Sequence, residues 1–392
     1  MQAMTGTLSA AFHLTHNCNL RCTYCYTGDK FGLGMSRATA DQAVRFCIAQ
    51  ARESGVDHLE VIFFGGEPLM KLDLLCQIVD QTRCQAEDLR TTFKLSTNGV
   101  LLTADAIDRL SRRGVFVSIS LDGNPALQAQ QRPGIHGRDV SMELEAAIDR
   151  LLQWNPCAAV NCVVTPESAG QLDESVRWIF ARGFAYVSTA LDYSAAWTRE
   201  DLRALGAAYE RLAEWYYQET IEGERFYLSC FDEKMRSWTR GPLEKSERCH
   251  IGTRQFSIAP SGRLYPCVQF VQEDRDDTFV IGNVFDGFHQ QRKRSLVCES
   301  EAEHAECGGC ALQQRCSSWC ACVNWQSTGR LDEPSPIVCE HERVLMPIVD
   351  RLANRLWRRR DPNFIHKNYN PAFPVLSFAE LLVIKEAARV EV

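Results

Sequence analysis

Cysteine placement constrains this chain more than any other feature. There are 18 cysteines in 392 residues, and the start, MQAMTGTLSAAFHLTHNC, lacks the basic segment, apolar stretch and cleavage site of a secretory signal. The expected location is therefore the cytoplasm, where structural disulfides do not persist. Clustered thiols in such a compartment read as metal ligands and scattered ones as small buried hydrophobes. Cys18, Cys22 and Cys25 form one cluster, and Cys307, Cys310, Cys316, Cys320 and Cys322 a second, flanked by Cys249, Cys267, Cys298 and Cys339. Cys47, Cys76, Cys84, Cys157 and Cys162 lie singly in apolar patterns and are expected to pack in cores.

The length fits two to three domains with cores that need no staples. Apolar residues at 45% and charged residues at 24% are ordinary for a globular chain. No uncharged apolar run approaches the ~18 residues of a membrane span, so disorder, collagen and membrane spanning are excluded. A net charge of −7 argues against a duplex nucleic-acid binder, which would show a basic excess or stripe.

From about residue 8 to 190, strand-like runs alternate with helix-period segments, the signature of a parallel α/β architecture. Six strands are expected, at 11–15, 59–64, 92–96, 115–120, 159–164 and 185–190. Residues 36–55 between the first two read as a helix behind a Ser or Thr cap, with Ala40, Val44, Cys47, Ile48 and Ala51 at helical spacing before Gly55. Six βα units suggest an incomplete barrel, a partial (β/α)6 TIM-like fold. By analogy with closed barrels, chemistry belongs at the C-terminal strand ends. Residues 198–222 read as a linking helix. From Cys249 to Cys339 come short strands, Gly and Pro turns and more cysteines, as expected of a domain folded around metal centres. There QFSIAPSGRLYPC reads as a hairpin through Ser261-Gly262. The tail reads as a helix at 340–360, a loop at 361–374 and a last helix opening with the capping box Ser377-x-x-Glu380. The expected domains are 8–230, 240–345 and 346–392.

Cys18-x3-Cys22-x2-Cys25 directly follows the first strand, placing three thiolates at the mouth of the barrel. A [4Fe-4S] cubane has four irons, so three protein thiolates leave one iron open to a small ligand. The alternative is zinc, whose structural sites want four ligands that His13 or His16 could complete.

CNLRCTYC, followed by FFGGEPLM after the second strand, resembles the radical S-adenosylmethionine (SAM) superfamily. The resemblance implies that the open iron binds SAM, which one electron cleaves to methionine and a 5'-deoxyadenosyl radical. It implies a SAM-contacting loop at Gly65, Gly66, Glu67 and Pro68, with Glu67 accepting from the methionine ammonium. Glycines allow close backbone approach, and a carboxylate is the natural acceptor for an ammonium. Tyr24 precedes the last cysteine as the pattern has it. Ser120 and Asp122 resemble residues near the SAM ribose and carboxylate, and Asn161, Val163 and Thr97-Asn98 are weaker carry-overs. Asp122-Gly123 and Asn98-Gly99 are equally ordinary turn dipeptides.

The C-terminal cysteines are similar to a second family feature, the SPASM extension with two auxiliary iron-sulfur clusters. Gly262-x4-Cys267, Cys307-x2-Cys310-x5-Cys316-x3-Cys320 and Cys339 carry that resemblance, with Cys249 upstream. Its crossed pattern implies Cys249, Cys267 and Cys320 on the first auxiliary cluster and Cys307, Cys310, Cys316 and Cys339 on the second, hence three [4Fe-4S] clusters in all. The PLEKSER stretch before Cys249 holds no fourth cysteine. The first auxiliary cluster is therefore expected to keep an open iron, which favours thioether chemistry on a substrate thiolate, with Cys230, Cys298 and Cys322 as other conceivable donors.

Members of this extension mostly modify peptides or protein side chains. The resemblance thus implies a ribosomally made peptide or a protein as substrate, a flavodoxin- or ferredoxin-type reductant, and formation of a thioether or carbon-carbon bond. Sulfatase maturases of the family carry an Asp after the Gly-x4-Cys cysteine; here that position is Val268, a departure that weighs against their formylglycine-forming activity. A small-molecule substrate is the remaining enzymatic alternative. With Cys18 so near the start, leader recognition is expected from a separate protein or another surface, and the tail, with Phe364, Tyr369, Phe373 and its last helix, is one such surface.

Overall fold

The computed structural model describes residues 4–242, 244, 249 and 251–390. Much of the PLEKSER stretch, residues 243 and 245–248, lies outside the described residues. The chain runs β1 (Met4–His13), α1 (Arg37–Glu53), β2 (Val56–Phe64), α2 (Leu72–Gln85), β3 (Arg90–Thr97), α3 (Ala104–Ser111), β4 (Val115–Ser120), α4 (Pro125–Gln131) and α5 (Ser141–Trp154). Then follow β5 (Ala159–Val164), α6 (Leu172–Ala181), β6 (Tyr186–Leu191), α7 (Arg199–Glu222), β7 (Tyr227–Leu228) and α8 (Ser229–Arg240). The cysteine-rich region adds β8 (Gln255–Ile258), β9 (Arg263–Tyr265), β10 (Gly282–Asn283), β11 (Gly287–Phe288), α9 (Gln290–Ser300) and α10 (Ala321–Thr328). The tail holds α11 (Pro336–Arg359), α12 (Pro362–Tyr369) and α13 (Phe373–Val390).

These elements form two compact units. The first comprises the chain up to Ser120 with Gln131–Trp154 and Cys249–Ala302, the second Leu121–Gln130, Asn155–Arg248 and the chain from Glu303 on. In the first unit β1 to β4 are parallel neighbours, with Ala10 opposite Val61, Val61 opposite Phe93 and Leu95 opposite Val117. Such pairing requires a crossover between successive strands, which α1, α2 and α3 supply. The other edge of β1 takes β8, also parallel, with Ser9 opposite Gln255. Through the hairpin β8-β9, turned at Gly262 (φ +90°), the cysteine-rich segment thus continues the sheet that carries the Cys18 loop. Phe12, Leu59, Phe63, Phe93 and Val117 fill the core of this unit.

In the second unit β5, β6 and β7 are parallel, Val160 opposite Val187 and Val187 opposite Leu228. α7 and α11 pack side by side, Tyr209 Oη meeting His341 Nε2 at 2.8 Å in the interior. Arg315 joins the 303–320 segment to α11 by two bonds to Asp350, at 2.7 and 2.9 Å. Lys234 of α8 and Glu342 of α11 form a buried ion pair at 2.6 Å, and Glu342 also accepts from the Ser317 hydroxyl at 2.9 Å.

The expected strands and helices are found, with differences in the tail and at the first strand. β1 ends at His13 rather than Thr15, because Leu14 to Asn17 turn away to meet the loop after β2. The expected loop at 361–374 contains α12: Asp361 caps it, accepting from Asn363 and Phe364 N–H, and Pro362 occupies the first turn. α13 begins at Phe373, so Ser377 and Glu380 lie inside it and no capping box forms there; Glu380 instead pairs with Arg225 at 2.8 Å. Of the single cysteines, Cys47, Cys76, Cys157 and Cys162 are buried, whereas Cys84 is exposed in the last turn of α2, past that helix's buried stripe. Among the described residues no helix is long and apolar enough to cross a membrane.

Candidate functional site

The loop after β1 is held by the loop after β2. Gly66 N–H donates to Thr15 O at 2.7 Å and Glu67 N–H to Asn17 O at 2.9 Å. This clasp requires both glycines: Gly65 has φ +127°, and a Cβ on Gly66 would fall 2.0 Å from Asn17 O. From the other side, Arg21 N–H reaches Pro133 O at 2.7 Å and Thr23 N–H reaches Gln131 O at 2.9 Å. Tyr24 lies under the Arg132 guanidinium, 5.5 Å from the ring centre. The three thiols therefore stand on a loop whose backbone is tied down before any ligand arrives.

Their environments differ. Burial, reinforced by Glu67 and the neighbouring thiols, pushes Cys18 up to about 11, against one Leu20 N–H at 3.4 Å. Burial also acts to raise Cys25, but the Thr27 hydroxyl and the Lys30 ammonium, 3.1 Å from its sulfur, outweigh it and hold that thiol below its ordinary range. A cation and hydroxyl at the sulfur favour thiolate, the form that ligates metal. Neither Lys30 nor Thr27 was singled out from sequence; a cation five residues beyond the last cysteine was the available signal.

Glu67 is fully buried, and its carboxylate is well supplied with donors. Oε1 accepts from Leu69 N–H at 3.0 Å and Thr97 Oγ1 at 2.7 Å, and Oε2 from Asn98 N–H at 2.9 Å. Burial raises its carboxyl above the usual range while those donors act in the opposite direction. Pro68 starts the helical turn that Glu67 caps. Asn98 is both a turn residue and a site residue: its Oδ1 accepts from Val100 N–H at 3.0 Å, and its Nδ2 donates to Asn19 Oδ1 at 2.8 Å inside the cysteine motif.

In the second unit, Asp122, Asn161 and Val163 come together. Asp122 Oδ1 accepts from Val163 N–H at 3.0 Å, and Leu121 N–H donates to Asn161 O at 3.0 Å. Asp122 is buried, whereas Ser120, the last residue of β4, is half-buried. His13 and His16 are also buried. His16 stacks on Phe31 at 4.7 Å, and burial drives the His13 imidazole down to about 3, so it is neutral. Among the described residues, the Nε2 atoms of both have no hydrogen-bond partner.

Cys307, Cys310, Cys316 and Cys339 line one cavity together with Glu342 and Arg343. Its walls come from a helical turn at Ala305–Cys307, the loop that follows and the first turn of α11. Cys249 and Cys267 belong to the first unit, Cys249 accepting from Gln255 Nε2 at 2.9 Å, and Cys320 to the second, beside Cys322. Among the described residues, no three His, Cys, Asp or Glu side chains close around a single ion. A tetrahedral zinc would bring sulfurs within about 3.8 Å of one another, whereas a cubane distributes its thiolates over four irons. Three thiols on a pinned loop, two buried imidazole nitrogens without partners and a four-thiol cavity are donor sets that fit iron-sulfur clusters and a polar cosubstrate.

The radical SAM superfamily pattern matches residues 12–179. The serine-type anaerobic sulfatase-maturating enzyme of Klebsiella pneumoniae is 35% identical over 315 residues, 75% of this chain and 78% of that protein. The PqqA peptide cyclase of Gluconobacter oxydans is 25% identical over 366 residues, 91% of this chain and 95% of that protein. Among solved structures, native anSMEcpe with bound AdoMet and Cp18Cys peptide has the same fold, with a TM-score of 0.75 at 20% identity over 90% of this chain and all of that one. The expected α/β partial barrel with a cysteine-rich C-terminal region is thus the fold of a solved relative. The chain belongs to the radical SAM superfamily, as an enzyme of the branch that carries a C-terminal SPASM extension.

Proposed function

We propose that the protein is a maturase of a ribosomally made peptide or a protein: the 5'-deoxyadenosyl radical takes one hydrogen atom from a side chain or backbone position, and a crosslink (a thioether or carbon-carbon bond) or an oxidised residue forms as a second hydrogen leaves as a proton and its electron passes to an auxiliary cluster. The observation that carries this reading is the joint presence of the pinned three-thiol loop and the separate four-thiol cavity, in a chain that aligns along most of its length with a peptide cyclase and with sulfatase-maturating enzymes. SAM bound at the Cys18, Cys22 and Cys25 cluster supplies the 5'-deoxyadenosyl radical after one electron from a flavodoxin- or ferredoxin-type donor. In this reading Gly65, Gly66, Glu67, Pro68 and Tyr24 surround its methionine part, and Ser120, Asp122, Asn161 and Val163 its ribose side. Cys249, Cys267 and Cys320 hold the first auxiliary cluster, and Cys307, Cys310, Cys316 and Cys339 the second.

Formylglycine formation is the second reading, favoured by the 35% identity to a serine-type maturase. Val268, directly after Cys267, weighs against it, because an apolar side chain cannot take a proton from a substrate Cys or Ser. The two readings separate in one experiment. Anaerobically reconstituted enzyme is incubated with SAM, dithionite and each short peptide that its genomic neighbourhood is found to encode, or with a sulfatase-motif peptide. A product that loses hydrogen and shows linked fragment ions supports crosslinking. A product captured by a hydrazide probe is an aldehyde and supports the second reading, and 5'-deoxyadenosine without change in any peptide overturns both.

A further inference from the structure

The four-thiol cavity contains a charged group that the chemistry above does not use. Glu342 stands three residues beyond Cys339 on the same face of α11, lines the cavity with Cys307, Cys310 and Cys316, and is 1% exposed. Its two oxygens are treated differently. Oε1 accepts from Lys234 Nζ at 2.6 Å, Ser317 Oγ at 2.9 Å and Ser317 N–H at 3.3 Å. Oε2 is buried and, among the described residues, has no hydrogen-bond partner. A buried acceptor left bare costs ~1–3 kcal/mol, and more on a charged group. Packing gives no reason for that cost, since Oε1 alone holds Lys234 and Ser317.

The carboxylate also decides the sign of the field in the cavity. Lys234 comes from α8, donates as well to Arg315 O at 3.4 Å and is not among the lining residues, so the pair presents its negative end. The thiols register the difference: burial raises the Cys316 thiol, Glu342 adds to that rise, and Lys234 opposes it more weakly. The other nearby charges are already matched. Arg343, the second charged lining residue, pairs with Glu340 at 2.7 Å, Arg315 pairs with Asp350 at 2.7 Å, and Glu233, next to Lys234, faces Arg236. Reduction adds an electron to a cluster, so a fixed negative charge beside it disfavours the reduced state, and burial leaves that effect little screened.

We propose that Glu342 sets the reduction potential of the cluster held by Cys307, Cys310, Cys316 and Cys339, keeping it low so that this centre passes an electron on instead of storing it. The electron is the one released when the second hydrogen of the substrate leaves as a proton. One electron enters, one leaves to an oxidised flavodoxin- or ferredoxin-type carrier, and no bond is made or broken at Glu342. Glu342 acts through the cluster and is thus a positioning residue. This inference rests on the cluster assignment and the maturase reading, and deepens them.

The test is an EPR-monitored redox titration of anaerobically reconstituted full-length enzyme. The component of this centre is the one present in the parent and absent when Cys307, Cys310, Cys316 and Cys339 are all replaced by Ala. E342Q should raise the midpoint of that component alone, by about tenfold in the reduction equilibrium, which is about 59 mV for one electron. E342D keeps the charge and should restore the parent midpoint. Because E342Q leaves the Lys234 ammonium buried without its partner, K234M/E342Q removes both charges together, and its midpoint should rise by less than that of E342Q. Reduced enzyme, freed of dithionite and mixed with one equivalent of oxidised flavodoxin, should keep more of this component reduced in E342Q than in the parent. An unmoved or lowered midpoint in whichever of E342Q and K234M/E342Q retains the component would overturn the proposal, as would equal reoxidation by flavodoxin. So would an E342D midpoint as high as that of E342Q, since shape and not charge would then be at work, or loss of the component from all three variants, which would make Glu342 a support of the fold. If the parent has no component that the four-thiol variant lacks, the cluster assignment itself fails. If the component is present and does not move, only this inference fails.

Discussion

The two cysteine regions are built by opposite means. The Cys18 loop is held by backbone bonds that come from far along the chain: Gly66 and Glu67 after β2, Gln131 at the end of α4 and Pro133 just beyond it. The 303–320 segment has mostly local ones, such as Cys310 N–H to Cys307 O, Cys316 N–H to Leu312 O and Cys320 N–H to Ser317 O, each three or four residues back. Its long-range ties are a few side chains, chiefly Arg315 to Asp350 and Ser317 to Glu342. A loop with a long-range backbone frame is preformed, whereas one with local turns depends on its ligand for much of its folding free energy. The first region therefore presents a site to a cosubstrate that comes and goes. The second, under the proposed function, would fold around a cluster held by its four thiols.

The strongest challenge to this contrast is removal of the thiols. Cys18→Ala, Cys22→Ala and Cys25→Ala together should abolish 5'-deoxyadenosine formation and remove about a third of the iron, if each of three centres is a cubane. Hydrogen exchange in residues 4–120 should stay as in the parent. Loss of that protection would mean that the first loop, too, needs its cluster to fold.

Replacing Cys307, Cys310, Cys316 and Cys339 by Ala should raise hydrogen exchange and protease cutting across 303–340 and leave 4–120 protected. An unchanged exchange pattern would show that the Arg315 and Glu342 ties alone define the segment. Gly66→Ala tests the preformed frame without touching a thiol. A methyl 2.0 Å from Asn17 O forces the clasp apart, so stability should fall by about 1–3 kcal/mol in a denaturant melt, with loss of SAM binding by calorimetry. The smallest effect is expected for Asn98→Ala, which removes the 2.8 Å bond to Asn19 together with the 3.0 Å bond from Val100 N–H and should cost about 1 kcal/mol. A wild-type melt for that variant would place the rigidity of the motif in its backbone bonds alone.

Much of the fold was legible because strand and helix periodicities are local properties. The strand at 159–164 and the helix at 199–222 follow from alternation and capping in their own residues. The tail was harder to read. Asp361-Pro362 is a helix start that resembles a turn, and Ser377-x-x-Glu380 imitates a capping box, but the partner that decides Glu380 is Arg225, 155 residues away. The same holds within the site. The cysteine spacing announced the metal chemistry, yet Lys30 at Cys25 and Asn98 at Asn19 are matters of loop path.

By itself the sequence determined the chemistry of the donors: three thiols after a strand, a Gly-Gly-Glu-Pro turn after the next, and a second cysteine series at its own spacing. Spacing along a chain is enough to say which atoms a metal would find, because ligation depends on atom type and count. Tertiary structure alone decided which of those sites is held in advance, and it joined the Glu342 carboxylate at the four-thiol cavity to Lys234, 108 residues away. No local pattern encodes such a meeting, since burial and charge balance belong to a volume and not to a stretch of chain.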